Sequence, residues 1–369
     1  MTTDQLHQAD AVFEGGGVKG IALLGALSVM EKSWRWENLA GTSAGAIVAA
    51  FAATGMSAQE IRRVLDKIDL SKLMDTGWEE KVDWIFSRLS LLRFVPHVGM
   101  LREHIFSIIK DYGIYEGNAF MRLVEENLPP GVTTFGDLIY DRTLAKDSPY
   151  RYKLRVVASD ITANRMLILP QDIQHFGRDP DDLRIAEALR MSMSIPIFFE
   201  PWTLQDKKGV KHYIVDGGLL SNFPVWMFDS PVDEQPAWPT FGFDLHDPAD
   251  TADGHAPLPE DVDKTANLFD FAEGIVSTLA SAIDRRYAAK RHWARTIPIN
   301  NLGISTTKFN LTAKEKDDLW ASGVKGAAAF MEKWGAPEEG FAKWKDEYRM
   351  DVEDAQREFA RRHGIVLPS

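Results

Sequence analysis

The chain has 369 residues, of which 45% are hydrophobic, and it carries a formal net charge of -12. This length allows one large α/β domain or about two smaller ones, with a substantial buried core. The acidic balance gives no general attraction to nucleic acid or to anionic membranes, so any lipid contact has to be local and apolar. The absence of cysteine excludes disulfides, thiolate catalysis and cysteine metal sites.

The sequence carries no recognisable export or membrane-spanning signal. Its N-terminus, MTTDQLHQAD, lacks a basic region followed by an apolar run, so no signal peptide is expected. No stretch approaches the roughly 18 consecutive apolar residues of a transmembrane helix. We therefore predict a cytoplasmic protein, at most peripheral at membranes, although export without a cleaved signal would leave no trace in the sequence.

Strands and helices alternate through the first 220 residues, which favours a three-layer α/β/α sandwich with a largely parallel central sheet. In chain order, the apolar patterns predict strands at residues 11–13, 39–40, 152–160, 166–169, 213–216 and 240–245. They predict helices at residues 18–30, 44–54, after the Ser57 and Glu60 capping box, and at 78–95, 101–110, 186–193, 264–293 and 312–334.

Residues 78–95 carry apolar side chains at spacings of three and four, between charged ones, and predict an amphipathic helix that ends near Pro96. Two interpretations stay open. The helix packs its apolar face on the core, or it forms a lid that touches a membrane through the tryptophans at its edges. The mixed charges of its polar face favour the first.

The segment Gly41-Thr42-Ser43-Ala44-Gly45 matches the pattern G-x-S-x-G. A serine on a sharp strand-to-helix turn presents its hydroxyl at a helix N-terminus, and flanking glycines such as Gly41 and Gly45 let neighbouring chains pass close by. The free N–H groups there favour negative charge. An ordinary turn would also fit these letters, but the strand before and the helix after it favour a catalytic Ser43.

The glycine-rich segment that follows the first strand is consistent with a dinucleotide site, an oxyanion hole or a tight crossover. Its residues are Gly15, Gly16, Gly17, Val18, Lys19 and Gly20. A nucleotide site would need an acidic residue at the end of the next strand, which instead ends at Gly41-Thr42-Ser43. An oxyanion hole is therefore favoured. Lys19 either adds positive charge near it or is simply solvated.

Asp216, followed by Gly217 and Gly218, ends a strand, where open α/β sheets place their ligands. On its own, Asp216 fits equally well as a turn residue whose side chain accepts hydrogen bonds from nearby backbone N–H groups. None of the nine histidines lies in a glycine-flanked loop after a late strand. His246 is the best histidine candidate for a triad, yet it fits better as the start of the polar loop 246–263.

The segments E-G-G-G-V-K-G, G-T-S-A-G and D-G-G occur in this order, and together they resemble the patatin-like phospholipase family. The stretches VVASDIT, RMSMSIPIFFEP and DGGLLSNFPV are similar as well. The resemblance covers roughly residues 9–335. It implies a catalytic core at 9–230, a C-terminal part of the same domain at 231–340 and, outside it, a charged helical tail at 341–369.

This resemblance implies a Ser-Asp dyad without histidine, in which Ser43 is the nucleophile and Asp216 the general base. The N–H groups of Gly16, Gly17 and Val18 would form most of the oxyanion hole. Many family members have Asp where this chain has Glu14, and Arg where it has Lys19. The implied function is hydrolysis of phospholipid or other acyl-ester substrates, with transient membrane contact and no metal or cofactor.

Two alternatives stay open at this point. One is a conventional Ser-His-Asp esterase, although its nucleophile would normally follow several strands rather than one or two. The other is a regulatory module with a vestigial hydrolase site, which the three intact motifs disfavour. Head-group preference, partners and oligomeric state are not predicted.

Overall fold

A computed structural model describes residues 6–67, 117–148, 150–196, 199–229, 236–246, 294–306, 308 and 310–346. The predicted helices 78–95, 101–110 and 264–293 lie outside these residues, as does nearly all of the predicted loop 246–263. Both interpretations of residues 78–95, packing on the core and a lid that touches a membrane, therefore stay predictions. None of the helices in the described ranges is both long and apolar enough to cross a membrane.

Eight strands of the described residues form one sheet, in the order β5-β6-β3-β2-β1-β7-β8, with β4 paired to β3. Pairing is parallel from β3 through β2, β1 and β7 to β8. The strand β3 pairs antiparallel with both β4 and β6, and β6 pairs antiparallel with β5. The strands are β1 (His7–Phe13), β2 (Trp34–Thr42), β3 (Leu154–Asp160), β4 (Arg165–Leu169), β5 (Trp202–Gln205), β6 (Lys211–Asp216), β7 (Thr240–His246) and β8 (Thr296–Asn300).

The fold is mixed α/β, with a mostly parallel central sheet and helices around it, which confirms the predicted class. The described helices are α1 (Gly20–Met30), α2 (Ala44–Ala53), α3 (Ala58–Lys67), α4 (Asn118–Asn127), α5 (Ile185–Ser192) and α6 (Ala313–Trp334), and a further helix begins at residue 337. The Ser57–Glu60 capping box at the start of α3 is present as predicted.

Alternating side chains of the central strands supply cores on the two faces of the sheet. Ala11 and Phe13 of β1 belong to the larger core, which also contains α1 and α2, whereas Val12 belongs to a smaller core with Met227 and Phe228. Such alternation follows from the two-residue repeat of a strand. Because both faces are covered, these strands are almost continuously buried, although they include polar residues such as Asp10 and Arg155.

Two strands were not predicted from the sequence. The four-residue strand β5 lies at one end of the sheet and is too short to show a pattern. The strand β8 contains Pro298 and lies at the other end, where a missing backbone N–H does little harm. Both β7 and β8 continue the sheet of β1, so residues on either side of position 230 share one sheet.

The helices α1 and α6 approach so closely that their backbones meet at two glycines. A Cβ at Gly25 would collide with the carbonyl oxygen of Trp320, and a Cβ at Gly323 would collide with that of Ala22. The pairing of α1 with α6 therefore depends on the absence of side chains at these positions.

We expect Gly323→Ala to destabilise the protein by about 1–2 kcal/mol. Alanine gains about 1 kcal/mol in helix propensity, but a methyl group forced against a backbone carbonyl costs about 2–3 kcal/mol, the upper part of the range for overpacking. Urea unfolding measures the balance. Ala328→Gly, at an exposed position of the same helix, is the control and should lose only the propensity difference. A stabilised Gly323→Ala variant would contradict the close contact.

Candidate active site

Ser43 lies at a sharp turn between β2 and α2, with φ 52° and ψ -123°. A non-glycine residue adopts such a backbone only under strain, which commonly marks a functional position. Only 5% of the residue is exposed. The serine therefore stands at the N-terminus of a buried helix, as the G-x-S-x-G pattern predicted.

The glycines around Ser43 allow two backbones to touch. A Cβ at Gly45 would collide with the carbonyl groups of Phe13 and Glu14, and a Cβ at Gly41 would collide with the carbonyl of Gly45. The first turn of α2 thus packs directly against the end of β1. This contact brings the serine and the glycine-rich loop after β1 to the same place.

The C-terminal end of α5 supports the backbone of Ser43. The Ser43 N–H donates to Ser192 Oγ at 2.9 Å, and the Ser192 hydroxyl donates to the carbonyl of Val157 in β3 at 2.6 Å. Ser192 is fully buried. The hydroxyl of Ser43 lies 3.9 Å from Met193 Sδ. A buried hydroxyl therefore links the strained turn to the centre of the sheet.

Asp216 ends β6 with 3% of its surface exposed. Its Oδ1 accepts the N–H of Gly218 at 2.7 Å, and its own N–H donates to the carbonyl of Ser194 at 2.9 Å. Its Oδ2 accepts no hydrogen bond from the described residues. One carboxylate oxygen is therefore fixed, and the other is left for a further donor.

Burial raises the pKa of Asp216 from 3.8 to about 7. The Gly218 N–H and the Ser43 side chain act in the opposite direction and lower this pKa. The structure thus brings Ser43 and Asp216 together, although the serine hydroxyl is not in a standard hydrogen bond with Oδ2. Such contacts are often loose before substrate binds.

The route by which Asp216 reaches Ser43 differs from the sequence-based expectation. We expected the aspartate at the carboxyl edge of a parallel strand, but β6 runs antiparallel to β3. In this register Asp216 pairs with Ala158, whose neighbour Val157 pairs with Thr42. The register therefore places the aspartate near the serine with only β3 between their strands, and not because two parallel strands end together.

The glycine-rich loop leaves two N–H groups open. Those of Gly16 and Gly17 meet no acceptor among the described residues, and Gly17 has a φ of +54°, which favours glycine. The N–H of Val18 donates to the carbonyl of Thr306 at 3.2 Å. Of the three N–H groups predicted for an oxyanion hole, Val18 is thus already engaged in this conformation.

The other predicted site residues lie around this loop and around Asp216. The side chain of Lys19 is partly exposed, passes beside Gly16 and forms no ion pair with the described residues. Gly15 donates its N–H to the carbonyl of Asn222, and Gly20 begins α1. Gly217 and Gly218 form a short 3-10 turn after Asp216. A Cβ at Gly217 would collide with the carbonyl of Val157.

No described histidine is hydrogen-bonded to Ser43 or Asp216. His246 ends β7, and its buried Nδ1 has no partner in the described part of the chain. His212 pairs instead with Asp160, with Nδ1 and Oδ2 2.8 Å apart. Within the described ranges, no three His, Asp or Glu side chains are grouped as metal ligands would be.

Several residues of the site were missed from the sequence alone. They are Glu14, whose carboxylate accepts hydrogen bonds from other loops, and Ser192, Ser194, Asn222, Leu245 and Thr306. Most act through backbone groups or single hydrogen bonds across more than 140 positions of the chain. Glu14 lies in the segment E-G-G-G-V-K-G, Ser192 and Ser194 in RMSMSIPIFFEP and Asn222 in DGGLLSNFPV, so these four had a sequence signal. Leu245 and Thr306 had none for this site.

A buried serine at a strained strand–helix turn, a buried carboxyl group and an open glycine loop thus lie together in one place. Residues 11–229 match the model of the family described as patatin-like phospholipase. This match spans more than half of the chain, so the protein belongs to the patatin-like phospholipase family. The family supports a lipid hydrolase function.

Sequence likeness to two relatives extends beyond the matched residues. The uncharacterised protein YqhO of Bacillus subtilis (strain 168) is 35% identical over 329 residues, covering 88% of this chain and 98% of YqhO. The uncharacterised protein R571 of Acanthamoeba polyphaga mimivirus is 24% identical over 320 residues, covering 84% of this chain and 89% of R571. The crystal structure of VipD from Legionella pneumophila aligns with a TM-score of 0.47 at 18% identity, covering 89% of this chain and 67% of VipD.

We expect Ser192→Ala to destabilise the protein by roughly 1–3 kcal/mol, because it leaves the Ser43 N–H and the Val157 carbonyl buried and unpaired. Chemical denaturation measures the change. The control is Ser28→Ala, which removes only a partly buried hydrogen bond to Gly25 within one helix. If the two variants lose equally little stability, Ser192 does not support the turn.

Proposed function

We propose that the protein is a lipid acyl hydrolase of the phospholipase A or lysophospholipase type, which cleaves carboxylic esters with Ser43 as nucleophile and Asp216 as general base. The observation that carries this proposal is the buried Asp216 carboxyl group beside Ser43, with a pKa of about 7 and Oδ2 without a described hydrogen bond. Family membership supports the lipid substrate class.

In the first half of the proposed reaction, Ser43 Oγ attacks the ester carbonyl carbon while its proton passes to Asp216 Oδ2. The carbonyl π electrons move to the oxygen, and the N–H groups of Gly16 and Gly17 stabilise the resulting oxyanion. Each such donor contributes about 3 kcal/mol in related sites. When the intermediate collapses, the alcohol leaves with the proton from Asp216 and an acyl-enzyme remains.

In the second half, water attacks the acyl carbon as Asp216 accepts one of its protons. A second oxyanion forms in the same loop and then collapses to release the fatty acid and the Ser43 alkoxide, which recovers its proton from Asp216. One base therefore serves both halves. No metal or cofactor enters either step of this proposal.

The environment of Asp216 suits this role. An ordinary carboxylate has a pKa near 4 and is a weak base toward a serine hydroxyl. Burial, which raises the pKa of Asp216 to about 7, brings the base close to a neutral working pH. Lys19, beside Gly16, would add positive charge near the developing oxyanion.

We further propose that the catalytic domain comprises residues 9–340, with 9–230 as its core and 341–369 as a tail. The strands β7 and β8 support placing residues 231–340 in the same domain, because they continue the sheet of the core. Trp344 of the proposed tail is itself buried in that core. The substrates we propose are phospholipids or other long-chain acyl esters, reached by a cytoplasmic enzyme through transient membrane contact.

Ser43→Ala and Asp216→Asn should each lower hydrolysis of long-chain acyl esters by about 1,000-fold or more, because they remove the nucleophile and the base. Fatty acids released from mixed phospholipids and neutral lipids measure the loss and identify the substrate. A fluorophosphonate probe should label the wild type and not Ser43→Ala. Full hydrolysis by Ser43→Ala would refute the proposal, and failure to label the wild type would indicate a vestigial site.

The rate constant kcat/KM should rise with pH and level off above about pH 7. Asp216 acts as a base only when ionised, and its pKa is about 7, so activity falls roughly tenfold per pH unit below that value. Initial rates between pH 5 and 9 provide the measurement. An inflection near pH 4 would contradict a buried base.

A control variant shows whether the inflection of the pH profile comes from Asp216 or from another buried carboxyl group, Asp10. Burial also raises the pKa of Asp10 to about 7, with Oδ1 accepting the backbone and side-chain N–H groups of Asn38. The substitution Asp10→Asn keeps an oxygen that accepts these hydrogen bonds and removes the group that titrates. The Asp10→Asn variant should therefore keep the wild-type pH profile, and loss of the inflection in it would assign the profile to Asp10.

A further inference from the structure

Glu14, the last residue before the glycine-rich loop, connects three parts of the chain. Its N–H donates to the carbonyl of Phe243 in β7 at 3.1 Å. Its Oε1 accepts the side-chain amide of Asn222 at 2.8 Å, and its Oε2 accepts the N–H of Leu245. The carboxylate therefore ties the end of β1 both to β7 and to the loop that follows Asp216.

Asn222 holds the glycine-rich loop from the opposite side. Its side-chain Nδ2 also donates to the backbone carbonyl of Gly15 at 3.1 Å. The backbone carbonyl of Asn222 in turn accepts the N–H of Gly15 at 3.1 Å. Its Oδ1 lies where a Cβ at Gly15 would collide with it, and 3.0 Å from the place of a Cβ at Gly218. The Asn222 side chain thus lies between the glycine-rich loop and the turn that follows Asp216.

We propose that Glu14 and Asn222 are positioning residues, whose carboxylate–amide bridge fixes the N–H groups of Gly16 and Gly17 relative to Ser43 and Asp216. This inference rests on the function proposed above. Asn222 follows Asp216 by six residues, and Glu14 precedes Gly16 by two, so the bridge is a short connection between donor and base. In this proposal neither residue contacts the substrate.

The bridge acts on the transition state more than on substrate binding. An oxyanion donor stabilises charge that develops only during reaction, and its contribution depends on placement within fractions of an ångström. If the glycine loop shifts relative to Ser43, the loss falls on kcat while KM changes little. A residue with only a structural role would change stability without this selective effect.

The test exchanges the two functional groups. Asn222→Asp places a second carboxylate against Glu14, and Glu14→Gln turns an amide donor toward the Asn222 amide donor. In the double variant, the amide at position 14 donates to the carboxylate at position 222, while its oxygen still accepts the N–H of Leu245. The bridge is restored with its direction reversed, but a carboxylate oxygen then faces the Gly15 carbonyl oxygen in place of an amide donor, so recovery is partial.

Steady-state hydrolysis of a long-chain acyl ester should show a fall in kcat of about 100-fold in each single variant, with KM little changed. The double variant should recover to within about 10-fold of the wild type, whereas independent losses would multiply. Multiplied losses in the double variant, or a rise in KM at unchanged kcat in the single variants, would overturn the bridge.

Two further measurements keep the test decisive. Asn222→Ala removes the bridge without opposing two carboxylates and provides the folding-tolerant variant, for which unchanged kcat would overturn the proposal. Thermal melts confirm that each variant is folded when assayed. A wild type without Ser43-dependent hydrolysis would refute the proposed function itself. An active wild type whose bridge variants keep the wild-type kcat would refute the bridge alone.

Discussion

The sharp turn at Ser43 is the constraint on which the arrangement of the site depends. Its backbone conformation costs about 1–3 kcal/mol, and it persists because the surrounding contacts leave no alternative. The start of α2 rests on the backbone of β1 through Gly45, and Ser192 holds the Ser43 N–H from the other side. The same close packing of β1, β2 and α2 places the glycine-rich loop beside the serine.

Much of the central fold follows from local sequence pattern. The small apolar residues of α2 predict a buried helix because they can pack on all sides, and the three consecutive glycines after β1 predict a loop with exposed N–H groups. Ser43 was identified because its strand, turn and helix are contiguous. Patterns of this kind depend only on near neighbours, so the sequence contains all the information that they need.

Other parts of the site depend on register and on distant contacts, which no local pattern records. Asp216 reaches Ser43 because β6 runs antiparallel to β3, and a shift of two residues in that pairing would move the carboxylate away. The engagement of the Val18 N–H by the Thr306 carbonyl joins positions 288 residues apart. The short strand β5 and the proline-containing strand β8 lack a pattern because ends of a sheet tolerate irregular sequences.

The buried carboxyl group of Asp216 also links the chemistry of the site to the stability of the whole domain. Its pKa is about 7 in the folded protein, against an ordinary value of 3.8. Between these values the folded chain retains a proton that the unfolded chain releases, so stability declines as pH rises, by up to about 4 kcal/mol for this group. Asp10 adds a decline of the same sign. The ionised form that the proposed base requires is therefore the form in which the fold is less stable, and the surrounding core has to compensate for it.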